Sequence, residues 1–207
     1  MTGLERMECA FKHIEGDRVP LYEQGIASDV SSAVLGRPAL TGLTGVHRIE
    51  AEAWLKSPEA AAEFYETVLQ DNIAVAKELE LDAVSLPWLV GCGPTRKLDE
   101  YRYLYGDIES GNYIIRKYDP GSDTMGVIES STSRWTIDDL FRHIDELGKN
   151  HADRHIAEPA DFPMLSNLQE LAGDMAVVSG SVFVIPLEQV WLEAIALGRD
   201  LIERYLN

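Results

Sequence analysis

Leu4, Met7, Phe11 and Ile14 recur at helical spacing behind Thr2, Gly3, Leu4 and Glu5, which form a capping-box pattern, and Gly16 ends the run. The spacing predicts a short amphipathic helix. Asp17, Arg18, Val19 and Pro20 break it, and Val19 to Glu23 forms a compact apolar run closing on polar Glu23 and Gln24. That pattern predicts a buried parallel strand that delivers polar side chains to its C-terminal end. Ser28 is placed to cap a small helix ending at Leu35, with Gly36 as its stop. Residues 37–56 have weak periodicity and read as loop with one helical turn at most.

Ser57, Pro58 and Glu59 start the clearest helix of the chain, with Ser as N-cap, proline at the first helical position and an acid in the first turn. Its apolar stripe runs through Ala61, Phe64, Val68, Val75 and Leu79, and Asp82 to Leu86 follows as a second short buried strand. Between Asp99 and Ser131 the pattern becomes extended and aromatic, with Tyr101, Tyr103, Tyr105, Tyr113 and Tyr118 broken by Gly106, Gly111 and Pro120-Gly121. This predicts a β-hairpin or meander inserted in a βα loop. Thr136 caps the next helix, which Gly148 stops; a short helix from Leu165 to Leu171 leads into a third buried strand, Ala176 to Ile185, and residues 186–206 read as helix.

Strand, helix, strand in this order is the βαβ pattern of parallel sheets. The predicted fold is α/β, a single domain made of the N-terminal part of a (β/α)8 TIM barrel, with about three barrel strands and one antiparallel excursion over about residues 99–131. A closed barrel takes eight such units and about 250 residues, whereas this chain spends its 207 residues on three. A fragment of a longer barrel is therefore expected. An unfinished sheet leaves open strand edges and apolar helix faces, so self-association into a homo-oligomer is expected too.

Composition narrows the partners. With 45% apolar and 8% aromatic residues the chain is ordinary globular material. Its net charge of -17 repels phosphate backbones and anionic membrane surfaces, which argues against nucleic acid and membrane as partners. No stretch is long and apolar enough for a membrane span, and Glu5, Arg6 and Glu8 stand where a signal peptide would be apolar, so a cytoplasmic protein is expected. Cys9 and Cys92, far apart and unaccompanied, are expected to be ordinary buried thiols.

Five segments add a family resemblance: Asp17-Arg-Val-Pro20, Val34-Leu-Gly-Arg37, Ala76 to Ala83, Leu98-Asp-Glu-Tyr101 and Ser179-Gly-Ser181. In this order they resemble the N-terminal part of the uroporphyrinogen decarboxylase superfamily, and the resemblance covers most of the chain. It implies a (β/α)8 barrel and one of two chemistries. True decarboxylases of acidic tetrapyrroles carry an arginine-rich motif after the first strand, because several substrate carboxylates need guanidinium partners. Here Tyr22 to Ser28 has no arginine and includes Glu23, and Leu86-Pro-Trp-Leu89 stands where the family has an aspartate after the second strand.

Both departures favour the methyltransferase-like branch, which works in one-carbon transfer with corrinoid proteins and binds zinc through a His-x-Cys pair and a further Cys in the second half of the barrel. Nothing in this chain matches those positions. The resemblance thus implies no cofactor bound by this segment alone, with zinc and a corrinoid belonging to a full-length protein, and a corrinoid protein or small-molecule substrate as partner. Decarboxylation of a tetrapyrrole and a non-catalytic binding or interaction domain remain the alternatives.

In such folds function sits at the C-terminal ends of strands, which singles out Glu23, Gln24, Trp88 and Glu188 as candidate substrate-binding residues. Glu23 is either a substrate-orienting carboxylate or a satisfied polar residue at a strand end; Trp88 and Trp191 either wall a pocket or fill core. His151 and His155 have the spacing of helix-borne metal ligands but lack the glutamate of the zinc-protease motif, and read as loop. Gly91, Cys92, Gly93 and Pro94 match neither a phosphate loop nor a dinucleotide fingerprint and read as a turn, with Cys92 a candidate thiol near the mouth.

Overall fold

The structure, a computed structural model, describes residues 1–42, 45–149, 158 and 161–178. Helix α1 spans Gly3–Phe11 and is closed by the predicted capping box: the Glu5 amide donates to Thr2 Oγ1 at 3.1 Å and the Thr2 amide to Glu5 Oε2 at 2.7 Å. Helix α2 covers Ser28–Leu35 and stops at left-handed Gly36, φ 65°. Ser28 does not cap it. Its hydroxyl instead accepts from the Thr41 and Gly42 amides at 3.1 and 2.9 Å, fastening the returning chain to the helix start.

The segment expected to be mostly loop holds an eleven-residue helix, α3, from Val46 to Lys56. Two causes hid it. It starts at Gly45 with no side-chain cap and no acid in its first turn, and its buried face carries His47 and Glu50 beside Val46 and Ala51 while Ile49 and Leu55 face outward. Tertiary contacts override the periodicity there. Helix α4, Pro58–Glu78, matches its prediction; Ser57 Oγ accepts from the Ala60 amide at 3.1 Å, and Ala61, Phe64, Val68 and Val75 are buried, although Leu79 is exposed.

Strand β1, Ala83–Ser85, is wholly buried and begins the parallel sheet. An antiparallel meander follows: β2 (Arg96–Lys97), β3 (Arg102–Asp107), β4 (Asn112–Asp119) and β5 (Thr124–Ser130), paired in sequence order with a bulge at Ile115/Arg116. After one turn of 3-10 helix come α5 (Ile137–Lys149) and α6 (Pro163–Ala172), the latter ended by Gly173, and then β6, Ala176–Val178. β6 pairs with β1 in parallel, Ala83 opposite Ala176, and Tyr22 forms a parallel bridge to Ala83 from the other side.

Three parallel stretches therefore lie side by side in the order Tyr22, β1, β6, and the fold is mixed α/β with one parallel and one antiparallel sheet. The first is shorter than expected. Only Tyr22 bridges, and Val19 and Leu21 are 80% and 48% exposed, because among the described residues that stretch has a neighbour on one side alone. The expected continuation of the third strand to Ile185 and the helix over 186–206 lie outside the described residues. Neither cysteine is buried: Cys9 is half-buried and Cys92 exposed.

Packing proceeds in layers. Leu69, Ile73, Ala76, Val84, Leu168 and Ala172 join α4 and α6 to the parallel sheet. Val46, Phe64 and Val68 join α3 to α4, and on the far side of α3 Ala51 packs against Tyr103, Tyr105, Tyr118 and Met125 of the meander. The N-terminal ends of the strands are closed by charge. Asp82, 2% exposed, accepts from Arg6 Nη1 at 2.9 Å, from Arg18 Nη1 and Nη2 at 2.6 and 2.9 Å, and from the Leu21 amide at 2.8 Å. Burial alone would raise its carboxyl, but the Leu21 amide, Arg6 and Arg18 outweigh burial and hold it below the ordinary aspartate value.

Gly3 lets α1 approach this cluster. A β-carbon there would collide with the Asp82 carbonyl oxygen, a backbone atom that cannot swing aside. Gly3→Ala should therefore cost about 2 kcal/mol of stability through overpacking, read as a lower urea midpoint at unchanged m-value; a midpoint equal to the parent's would show that α1 sits further from the sheet.

Candidate functional site

At its C-terminal end β1 runs into the loop Leu86–Pro94, and α3 grips that loop from outside. Glu50, 1% exposed, accepts from the Val90 amide at 2.9 Å, the Gly91 amide at 2.8 Å and the Tyr65 hydroxyl at 2.7 Å. Three donors are what a buried carboxylate requires if its desolvation is not to unfold its surroundings. One turn earlier on the same face, His47 Nε2–H donates to the Trp88 carbonyl at 2.9 Å, which fixes the ring's tautomer in the neutral state. Trp54 Nε1 donates to the Tyr65 hydroxyl at 3.0 Å. Burial, reinforced by Glu50 against the opposing pull of Trp54, pushes that hydroxyl above its usual range. His47 Nδ1 and Tyr105 Oη are buried and meet no hydrogen-bond partner among the described residues.

The residues singled out from sequence fall around this loop without converging. Glu23 is exposed and its Oε1 accepts from the Gln24 amide at 3.1 Å; Gln24 is exposed too, and its carbonyl accepts from Ser85 Oγ at 2.6 Å. The space they border holds about 10 Å3, room for one water. The Trp88 side chain is 54% exposed, and its carbonyl is what ties it to α3. Glu188, Trp191, His151 and His155 lie outside the described residues. His47, Glu50 and Tyr65 escape a sequence reading, since a buried glutamate in a weakly periodic stretch carries no local signature.

A concavity of about 860 Å3 opens between the N-terminal half of α4 and α6, with the β1 loop as its third wall. Its lining is apolar at Leu69, Leu86, Leu89, Met164 and Leu171, and among the described residues the walls carry the acids Glu66 and Glu170 but no arginine, lysine or histidine. Six arginines are engaged elsewhere: Arg6 and Arg18 on Asp82, Arg37 on Asp71, Arg102 on Asp99, and Arg48 and Arg116 over tyrosine rings of the meander.

Among the described residues no three His, Cys, Asp or Glu side chains gather into a group that could hold a metal ion. No helix among them is long and apolar enough to cross a membrane. No protein-family model, no curated protein and no solved structure matches the chain. The features at hand define a mixed α/β protein with a loop-walled cleft at the carboxyl ends of its parallel strands, the usual ligand position in such sheets.

Proposed function

We propose that the chain forms the opening strands and inserted meander of a uroporphyrinogen-decarboxylase-type barrel of the methyltransferase-like branch, acting in one-carbon transfer with a corrinoid protein. The observation that carries this reading is the sign of the charge at the strand ends. Glu23 terminates the first parallel stretch, and among the described residues the cleft beside the β1 loop has acids and no cation. A tetrapyrrole bearing several carboxylates would meet repulsion there rather than the paired guanidinium groups it needs. A methyl group carries no charge, and the apolar wall from Leu86 to Leu89 suits it. The parallel order of Tyr22, β1 and β6 supports a barrel beginning, with the meander as an excursion from the loop after β1.

In this reading Glu50 and His47 hold the rim in shape, while Glu23 and Gln24 present polar groups at the mouth. The test is a pair of assays on a full-length protein whose second half would supply the zinc ligands. Absorbance changes on mixing with methylcobalamin, a thiol and zinc should report methyl transfer, whereas loss of carboxylate from uroporphyrinogen should stay at background. Decarboxylation above background would reverse the choice of branch. Cobalamin binding without any transfer would favour a non-catalytic interaction domain.

A further inference from the structure

The geometry points to the cleft between α4 and α6 as a binding site for an apolar small molecule that carries a positive charge. This rests on the reading of the strand ends as the functional face and goes further by naming the ligand's chemistry. The cleft's shape comes from packing. Leu168 and Ala172 of α6 are clamped against Leu69, Ile73 and Ala76 of α4, and the cleft opens beside that contact between the two helices and the β1 loop. The walls cannot collapse onto each other without breaking that core, which is why about 860 Å3 stays open, within the size that takes a drug-sized ligand.

Charge decides the rest. Glu66 and Glu170 stand on opposite walls, one on each helix, and Gln70 Nε2 donates to Glu66 Oε1 at 2.9 Å, fixing that carboxylate on the cleft side. With no basic side chain among the described residues of the walls and a chain charge of -17, an anionic ligand is repelled at the rim and at long range. A cation with an apolar body gains on both counts: Leu86, Leu89, Met164 and Leu171 cover the body and the two carboxylates face the charge. The carboxylates are solvent-exposed, so each contributes no more than about fivefold in affinity, and most of the binding comes from the apolar walls.

The experiment titrates the full chain calorimetrically with benzyltrimethylammonium and with benzylsulfonate, a probe of similar shape and opposite charge. The cation should bind and the anion should not. Glu66→Gln with Glu170→Gln should weaken the cation about tenfold, added salt should weaken it as well, and Met164→Trp should weaken it by narrowing the cleft. Equal binding of the two probes, or cation binding indifferent to both sets of substitutions, would overturn the proposal. So would a dimer that sedimentation shows falling apart in Met164→Trp, since the cleft would then belong to a second copy of the chain. The paired Glu→Gln variant changes only exposed side chains and keeps the test valid if Met164→Trp fails to fold. Cation binding without methyl transfer from cobalamin would retain this site and discard the one-carbon reading; methyl transfer without cation binding would do the reverse.

Discussion

Asp82→Ala should cost about 3–5 kcal/mol of unfolding free energy, because it strips two guanidinium groups and one backbone amide of the carboxylate that satisfies them all. Arg6, Arg18 and the Leu21 amide converge on this one buried side chain, and its own backbone bonds to Leu21 and Ala176 on either side. The sign of the pH dependence follows from its depressed acidity. Unfolded, the carboxyl titrates near the ordinary aspartate value of about 3.9; folded, it titrates lower. Its stabilisation is thus complete above about pH 4 and is lost as the pH falls through the folded value. Urea unfolding of the parent should weaken steadily over that acid range, and in Asp82→Ala that part of the acid sensitivity should be missing. A loss below about 1 kcal/mol at neutral pH would show that the cluster is solvated rather than structural.

The second large effect is expected at Glu50. Glu50→Ala leaves the Val90 and Gly91 amides and the Tyr65 hydroxyl without their acceptor, at about 3 kcal/mol in all once water has entered to replace part of the bonding. Glu50→Gln should cost less, about 1–2 kcal/mol, since a carboxamide keeps one acceptor oxygen but turns an NH2 group toward donors. Hydrogen exchange distinguishes a loop that has come loose from general destabilisation: the Val90 and Gly91 amides should lose protection while those of β4 keep theirs. Unchanged protection at residues 90 and 91 would mean that the loop holds its shape without α3.

Where the chain states its structure locally, the structure is legible except at Ser28, whose hydroxyl takes the Thr41 and Gly42 amides instead of capping α2. The Thr2–Glu5 box, the Ser57-Pro58 start, the Gly36 stop and the alternating tyrosines of the meander each follow from one residue type at one spacing, and each is present. What failed depends on distant partners. α3 was hidden because its inward face is polar, and that face makes sense only beside the β1 loop some forty residues away. Val19 and Leu21 were read as core on the assumption of neighbours on both sides. Topology directs attention to the strand ends, but Glu50, His47 and Tyr65, which hold the β1 loop there, are defined by the groups they meet in space. The cleft itself is a gap between two helices, and no single helix sequence records a gap.

Glu50 and Ala51 are consecutive, yet they serve different neighbours: one clasps the β1 loop, the other lies against the tyrosines of the meander. The meander and the mouth of the cleft are thus fastened to a single turn of α3, and a substitution that shifts this turn disturbs both at once.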